Sequence, residues 1–316
     1  MIQNHRISQV SIVIVCMNNM KNIVPCLDSI KKYTKVDYEV WLVAYMFSKE
    51  NLAKLKENYP WVKIIESNEI RGFSENNNLA LKRVHAKYTL VLNDDTYFTE
   101  PLVDELYDSM EKHPEAKVIS PLILNYDGTV QMNGRNPRNM LKYIQGDCLG
   151  VNPDKKASQY VDHDGFYKTY NLGGACFMIG QEYFKSIGFF DEYYFFTPED
   201  IALSTLINKK GDSCYVDTNI KMYHKGGGTR ISPVKMATSP ASRKGNIKFY
   251  TDGKPFKRFF LEMVMIILCG IKGLIYLFRG NKIEYKSQFN SIAAICSNRT
   301  PKEIFTKYYL QLKNKQ

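Results

Sequence analysis

Two adjacent carboxylates, Asp94 and Asp95, follow the apolar run Tyr88-Thr89-Leu90-Val91-Leu92 in the turn Asn93-Asp94-Asp95-Thr96. Carboxylate oxygens at the end of a buried strand are ligands for a hard divalent cation, Mg2+ or Mn2+, and such a cation neutralises a diphosphate. The same residues also make an ordinary Asn/Asp turn, common at strand ends. A second acidic pair stands in Thr197-Pro198-Glu199-Asp200. Structurally, Thr197 is an N-cap, Pro198 the first helical residue and Asp200 the acidic arm of a capping box. Chemically, a carboxylate at a helix start is a candidate base for a hydroxyl; from spacing alone the cap is the stronger reading. The aromatic run before it, Gly188 to Phe196, serves a sugar site, a core or an interface equally well. A third candidate is His224, followed by Lys225-Gly226-Gly227-Gly228-Thr229-Arg230. It joins a metal-ligating imidazole to a Gly-rich basic loop whose N–H groups can close on phosphate. Taken alone, it reads as a half-buried histidine and a flexible linker.

Positioning these groups requires elements that end where they stand. Val10 to Val15, Tyr38 to Val43, Val62 to Ile65 and Tyr88 to Leu92 are β-branched, apolar runs that read as strands. Ile23, Leu27 and Ile30 share helical spacing, Leu52 to Tyr59 forms a short helix, and Ser74 caps a helix running to Val84. Strands alternating with helices predict an α/β fold with a mostly parallel central sheet flanked by helices. In such sheets ligands bind beyond the carboxyl ends of strands, after Val15, Val43 and Leu92 here. Asn125-Tyr126-Asp127-Gly128 is a turn, and residues 132 to about 170 read as a long polar loop region. Gly173 to Ile179 restores apolar order, Tyr215-Val216 and Ile220 to Tyr223 read as two short strands, and 225 to 245 reads as a mobile loop or linker.

The last part of the chain differs in kind. The formal net charge of the 316 residues is +11, and residues 246–316 hold 13 Lys and Arg against 4 Asp and Glu, so this segment carries most of it. A patch of that charge meets phosphate, either of nucleic acid or of anionic lipid. Phe259 to Phe278 decides between them: it is long enough to span a bilayer but is interrupted by Glu262 and Lys272. At about 100° per residue, Arg258, Glu262, Lys272 and Arg279 fall within an arc of about 100°, and the opposite side is almost wholly apolar. That pattern suits the plane of an anionic membrane surface, although a helix packed on the domain would also carry it. Nucleic acid is therefore not expected as a partner. The division predicted is a catalytic domain over 1–245 and a basic amphipathic helical segment over 246–316. Seven cysteines without a CxxC pair predict a reducing compartment, and MIQNHRISQV has no apolar core of a signal peptide.

The order of these motifs over residues 10 to 230 resembles the family 2 glycosyltransferases, which have the GT-A fold, in particular non-processive, rhamnosyltransferase-like members that make bacterial surface polysaccharides. Val10 to Asn19 resembles the opening strand and nucleotide loop, and Cys26-Leu27-Asp28-Ser29-Ile30 the first helix. Asn68, Arg71-Gly72-Phe73 and Asn76 to Leu79 resemble the family's Asn-x-Gly-Phe segment, and Leu92 to Thr96 its DxD motif. Gly173-Gly174-Ala175, Glu199-Asp200 and Tyr223-His224-Lys225 match the Gly pair, the ED motif and the terminal His. The QxxRW motif of processive synthases is absent.

The resemblance implies an inverting, metal-dependent glycosyltransferase, moving a hexosyl or deoxyhexosyl group from a nucleotide-diphosphate donor to a glycan or lipid-linked glycan acceptor. It implies Asp200 as catalytic base and Asp95 with His224 as ligands of Mg2+ or Mn2+. Cys16, Asn18, Arg71, Gly72, Asn76, Asn93 and Asp94 would meet the donor, and Gly174 and Glu199 the acceptor. With the basic tail, the expected location is cytoplasmic, peripheral on the inner face of the cell membrane. Two departures bear on the donor. Ala44-Tyr45-Met46 follows Val43 where the family has Asp-Asn, and Ala202 with Thr205-Leu206 stands where the helix after the ED pair often carries Asp and Arg. The first motivates an alternative reading, a nucleotide-sugar-binding protein without catalysis. Donor sugar, base, acceptor, linkage and oligomeric state are not legible in the sequence.

Overall fold

The computed structural model describes residues 8–132, 134–150, 163–226 and 233–314. The first half alternates as its periodicity predicts. Strands β1 (Val10–Cys16), β2 (Tyr38–Tyr45), β3 (Val62–Ser67) and β4 (Tyr88–Asn93) pair in parallel in the order β3-β2-β1-β4. Between them run α1 (Met20–Tyr33), α2 (Lys49–Asn58) and α3 (Phe73–Leu81). Asn19 caps α1, its Oδ1 accepting the Asn22 N–H at 3.3 Å. Ser74 does not cap α3: Gly72 holds the cap position, and the Ser74 hydroxyl donates to the Tyr194 carbonyl at 3.1 Å.

Beyond β4 the sheet becomes mixed. Two-residue β5 (Thr96–Tyr97), α4 (Leu102–Lys112), β6 (Val118–Leu124) and β7 (Val130–Met132) come first. Then come the short α5 (Met140–Tyr143), a π-helical turn (Ile144–Cys148), β8 (Phe166–Thr169), β9 (Cys176–Gly180), α6 (Gln181–Ser186), α7 (Glu199–Lys209) and β10 (Cys214–His224). The order continues β4-β9-β6-β10-β5, with β7 on β6 and β8 on β10. β9 is antiparallel to both its neighbours, and β10 is parallel to β6. The two short strands expected at 215–223 are one strand, broken in register between Asp217 and Lys221. Parts of the expected polar loop form β7, α5 and β8; residues 151–162 lie outside the described residues.

Alternation along the strands builds two cores. Val10, Ile12, Ile14, Leu90 and Leu92 face α1 and α4, while Val13, Val43 and Val91 face α3, α6 and α7. The sheet is thus sandwiched between helices, and its parallel carboxyl ends open on one edge.

The carboxyl-terminal part is four helices: α8 (Lys235–Thr251), α9 (Pro255–Phe278), α10 (Lys282–Ile295) and α11 (Pro301–Lys313). Much of the expected linker is therefore helical; 227–232 lie outside the described residues. Packing overrides the Ser, Pro and Gly of α8, because Ala237 and Ala241 are buried with Phe195, Ile304 and Phe305. A Cβ on Gly245 would come within 2.6 Å of the Thr197 carbonyl oxygen, so α8 lies hard against the approach to α7.

α9 packs inward by the side that carries Arg258, Glu262 and Lys272. Its buried residues, Leu261, Met265, Cys269 and Gly273, follow a four-residue period and share a side with Arg258, Glu262 and Lys272. The side turned outward is apolar: Phe256 is 83% exposed and Phe278 88%, with Phe259, Ile267, Ile271 and Leu274 exposed between them. The helix is long and apolar enough to cross a bilayer.

Candidate active site

The cleft lies where the parallel strands end. At the end of β4, Asn93 continues into the acidic turn, and β10 arrives antiparallel to β5 so that His224 pairs with Thr96. Asp95 is pinned by backbone: its carbonyl accepts Lys225 N–H at 3.0 Å, and its Oδ2 accepts Gly226 N–H at 3.1 Å. Its Oδ1 lies 3.1 Å from His224 Nε2. Burial works to raise the Asp95 carboxyl, but His224 and the Gly226 N–H outweigh it and hold the group below the usual range. Burial pushes Asp94 up to about 6, opposed by the Cys16 thiol and reinforced by the Asp95 charge.

Gln131 of β7 sets the imidazole. Its Nε2 donates to the His224 carbonyl at 3.0 Å and to Asn125 Oδ1 at 2.8 Å, which leaves Oε1 to accept from His224 Nδ1 at 2.5 Å. This network fixes a proton on Nδ1 and leaves Nε2 facing Asp95 and Asn93. Nε2 also stands 3.3 Å from Asn93 Nδ2, which donates to it in this tautomer, and 3.1 Å from Asp95 Oδ1. Adjacent ligands at roughly 2.1 Å from an octahedral Mg2+ stand about 3.0 Å apart, so the pair fits two neighbouring positions on such an ion. Among the described residues no third His, Cys, Asp or Glu joins them. Two protein ligands leave positions for phosphate oxygens and water, the usual arrangement for Mg2+ at a diphosphate.

The second carboxylate opens α7. The helix begins at Glu199, after a cis Thr197-Pro198 bond, with Pro198 at the cap. Thr197 is therefore not the cap; its hydroxyl oxygen accepts from Asn246 Nδ2 of α8 at 3.2 Å. Asp200 Oδ2 accepts the Gly174 N–H at 3.3 Å and Oδ1 its neighbour Ile201 N–H at 2.8 Å. Arg135 Nη1 stands 3.8 Å from Asp200 Oδ2. Gly174 leaves the room: a Cβ there would lie 3.4 Å from Asp200 Cβ. Burial, and then the Asp200 charge, pushes the Glu199 carboxyl well above the usual carboxylate range. Among the described residues, Glu199 Oε2 has no hydrogen-bond partner.

These two centres are joined through backbone hydrogen bonds at the end of β4. Asn93 N–H donates to the Ala175 carbonyl at 2.9 Å, and the adjacent Gly174 N–H reaches Asp200. On the opposite wall, Gln131 contacts His224 and Arg135 contacts Asp200, four residues apart and so separated by at most about 14 Å of chain. Tyr97 and Tyr223 stack at 5.0 Å, with Tyr126 edge-on and donating to the Asp95 carbonyl at 3.3 Å.

The remaining predicted residues have more structural duties. Cys16 is buried at the end of β1. Asn18 takes a left-handed backbone, φ 49°, and its Oδ1 accepts from Ser48 N–H and Asn51 Nδ2, bracing the β2–α2 loop. Arg71 bonds Ser67 Oγ at 3.2 Å and Glu69 at 2.6 Å, and Asn76 bonds Ser67 Oγ and the Arg71 carbonyl. Gly72 is where the chain passes Phe195: a Cβ would stand 2.2 Å from its carbonyl oxygen. Tyr45, in the Ala44-Tyr45-Met46 segment after Val43, is buried and its hydroxyl oxygen accepts Arg71 N–H at 3.4 Å. Gly227, Gly228, Thr229 and Arg230 lie outside the described residues. Sequence reasoning missed Gln131 and Arg135. Both sit in polar sequence without periodicity; the pairing of β7 on β6 places Gln131, and a bridge between Arg135 and Asn171 places Arg135.

Known proteins resemble this chain at both levels. The family model described as Glycosyl transferase family 2 matches residues 11–188, more than half of the chain. An N-acetylglucosaminyl-diphospho-decaprenol L-rhamnosyltransferase of Mycobacterium tuberculosis is 28% identical over 152 residues, 46% of this chain and 50% of that protein. The low-salt glycan biosynthesis hexosyltransferase Agl10 of Haloferax volcanii is 29% identical over 142 residues, 43% of each. This chain thus spans half or less of the curated relatives it matches. Among solved structures, GalNAc-T7 with UDP, GalNAc and Mn2+ superposes with a TM-score of 0.53 at 16% identity, over 73% of this chain and 47% of that one. TarS of S. aureus gives 0.51 at 14% identity, over 91% and 42%. The fold they share is the GT-A fold.

Proposed function

The chain belongs to the family 2 glycosyl transferases, and from that premise we propose that it is an inverting, metal-dependent transferase acting on a lipid-linked glycan in bacterial surface polysaccharide synthesis. The observation that carries this reading is the short backbone link between the two centres: Asn93, next to the acidic turn whose Asp95 faces His224, donates its N–H to the Ala175 carbonyl, and the adjacent Gly174 N–H bonds Asp200. Asp95 and His224 would hold Mg2+ or Mn2+, which supplies positive charge to a departing nucleoside diphosphate. The chain's own groups account for the rest. Asp200, held by two N–H donors, takes the proton of the acceptor hydroxyl. The freed oxygen bonds to the anomeric carbon from the face opposite the diphosphate, whose oxygen leaves with the bonding pair. Cys16, Asn93, Asp94 and the Arg71–Asn76 segment line the donor side, and Gly174 and Glu199 the acceptor side.

In this reading residues 1–245 carry catalysis, and 246–316 hold the protein at the cytoplasmic face of the membrane. Helix α8, which runs across that division, couples them. The outward apolar side of α9 supports membrane contact, and Lys and Arg residues of the segment complement anionic lipid. α9 packs on α8 and α10 along its inner side, so it lies in the plane of the surface rather than through it. The lipid-linked acceptor follows from that placement, and the diphospho-decaprenol in the name of the M. tuberculosis relative agrees with it.

The alternative, a nucleotide-sugar-binding protein without catalysis, draws on Tyr45 at the end of β2. Asp200→Asn separates the two. The substitution keeps one of the two accepted N–H bonds, sets an amide NH2 where the other oxygen stood and removes the base, so turnover should fall by about 100-fold or more while nucleotide binding holds and Tm drops by only a few degrees. If the variant releases nucleoside diphosphate at near the wild-type rate, Asp200 is not the base. If the wild type never turns over any donor it binds, the binding-protein reading stands instead.

A further inference from the structure

Behind Asp200, away from the metal-ligating pair, lies a second space of about 470 Å3. Its walls come from α5, the start of α7 and one side of α8, so the carboxyl-terminal helices build half of it. Among the described residues that line it, the charged groups are Arg135, Arg138 and Arg243 against Glu199 and Asp200. Three guanidiniums thus line the space with two carboxylates, and burial pushes the Glu199 carboxyl up. The remaining lining is rich in hydroxyls and amides: Thr238, Ser239, Ser242 and Asn246. Neither Asp95 nor His224 borders it.

A second space of about 700 Å3 adjoins it, sharing Arg138 and Tyr250. Its lining is largely apolar, with Met140, Leu141, Phe189, Leu206 and Phe249, and its rim reaches Lys257 in the first turn of α9. Tyr143 and Tyr250 stack at 4.6 Å between the two spaces, and Arg243 Nη1 stands 3.4 Å from Tyr143 Oη and 3.6 Å from Met265 Sδ on the inner side of α9. Hydroxyl-accepting carboxylate, guanidinium cluster and apolar groove thus follow one another toward the exposed apolar side of α9.

Resting on the transferase reading above, we propose that Arg135, Arg138 and Arg243 form a subsite for the diphosphate of a phosphate-linked acceptor, with the sugar hydroxyl at Asp200 and the hydrocarbon in the apolar groove. Planar guanidiniums bind phosphate oxygens bidentately, and the volumes are those of small-molecule sites, about 300–1,000 Å3. An acidic sugar would use the arginines but leave the apolar groove unused.

The test needs no turnover. Inorganic pyrophosphate is titrated calorimetrically into the full chain in EDTA, which silences any metal-dependent donor site, and glycerol phosphate is titrated in parallel as a membrane headgroup mimic. Wild type should bind pyrophosphate at least 10-fold more tightly than glycerol phosphate. Arg138→Gln and Arg243→Gln, each checked for an unchanged Tm, should each weaken pyrophosphate at least 10-fold. Asp95→Asn should weaken only nucleoside diphosphate binding in Mn2+. Equal affinity for the two probes would make this a general headgroup site and overturn the proposal. So would loss of pyrophosphate binding in Asp95→Asn with the arginine variants unaffected. Absence of any pyrophosphate binding would overturn it outright. These results stand whether or not the protein transfers a sugar, so failure of the subsite is distinguishable from failure of the catalytic reading.

Discussion

At the residue scale, the site works by fixing orientation before any ligand arrives. His224 is the clearest case: Gln131 Oε1 accepts from its Nδ1–H, so Nε2 is presented to Asp95. Outer partners of this kind typically change metal affinity by about 10–100-fold when lost. Gln131→Ala should therefore weaken Mn2+ binding by at least about 10-fold, read by titrating the free ion's paramagnetic signal, with little change in Tm. Unchanged affinity would remove His224 from the metal site. The carboxylates and the histidine were legible in the sequence because acidic turns and motif order mark them. Gln131, Arg135 and Arg243 were not, since an isolated polar side chain in a loop or a helix carries no pattern.

At the scale of elements, two close approaches lock the site to its scaffold. Gly72 passes the Phe195 carbonyl and Gly245 the Thr197 carbonyl, so α3 and α8 clamp the aromatic segment that leads into Asp200. Gly72→Ala would force a Cβ to 2.2 Å from a backbone oxygen. It should cost about 1–3 kcal/mol, seen in denaturant unfolding. A change below about 0.5 kcal/mol would mean the clamp yields freely. The four parallel strands were legible because each is a β-branched run. β10 read as two strands because Asp217, Thr218 and Asn219 interrupt its apolar sequence at the register break. α8 read as a linker because its Ser, Pro and Gly disfavour helix in isolation. What stabilises it, Phe195 on one side and α10 and α11 on the other, is contributed by residues far along the chain. Thr197 read as a cap because spacing cannot reveal that Asn246 engages it.

At the scale of the whole molecule, a basic tail and an apolar helix are visible in composition, but which side faces out is not. α9 buries the side that carries its charges and exposes the apolar one. Replacing Phe256, Ile267 and Leu274 together by Ser should abolish flotation with anionic vesicles and leave Tm within a few degrees, because all three side chains point outward. Retained flotation would place the membrane contact elsewhere. Deleting everything from about residue 250 is a poorer test, since Ile295, Ile304 and Phe305 pack into the same cores as α8 and Phe195. The central claim is that Asp200 and the diphosphate stand on opposite faces of the reacting sugar. The most direct measurement is the anomeric configuration of the product, read by proton NMR, with whichever UDP-, dTDP- or GDP-sugar the wild type turns over in Mn2+. The account predicts inversion relative to the donor; a product with the donor's own configuration would contradict it.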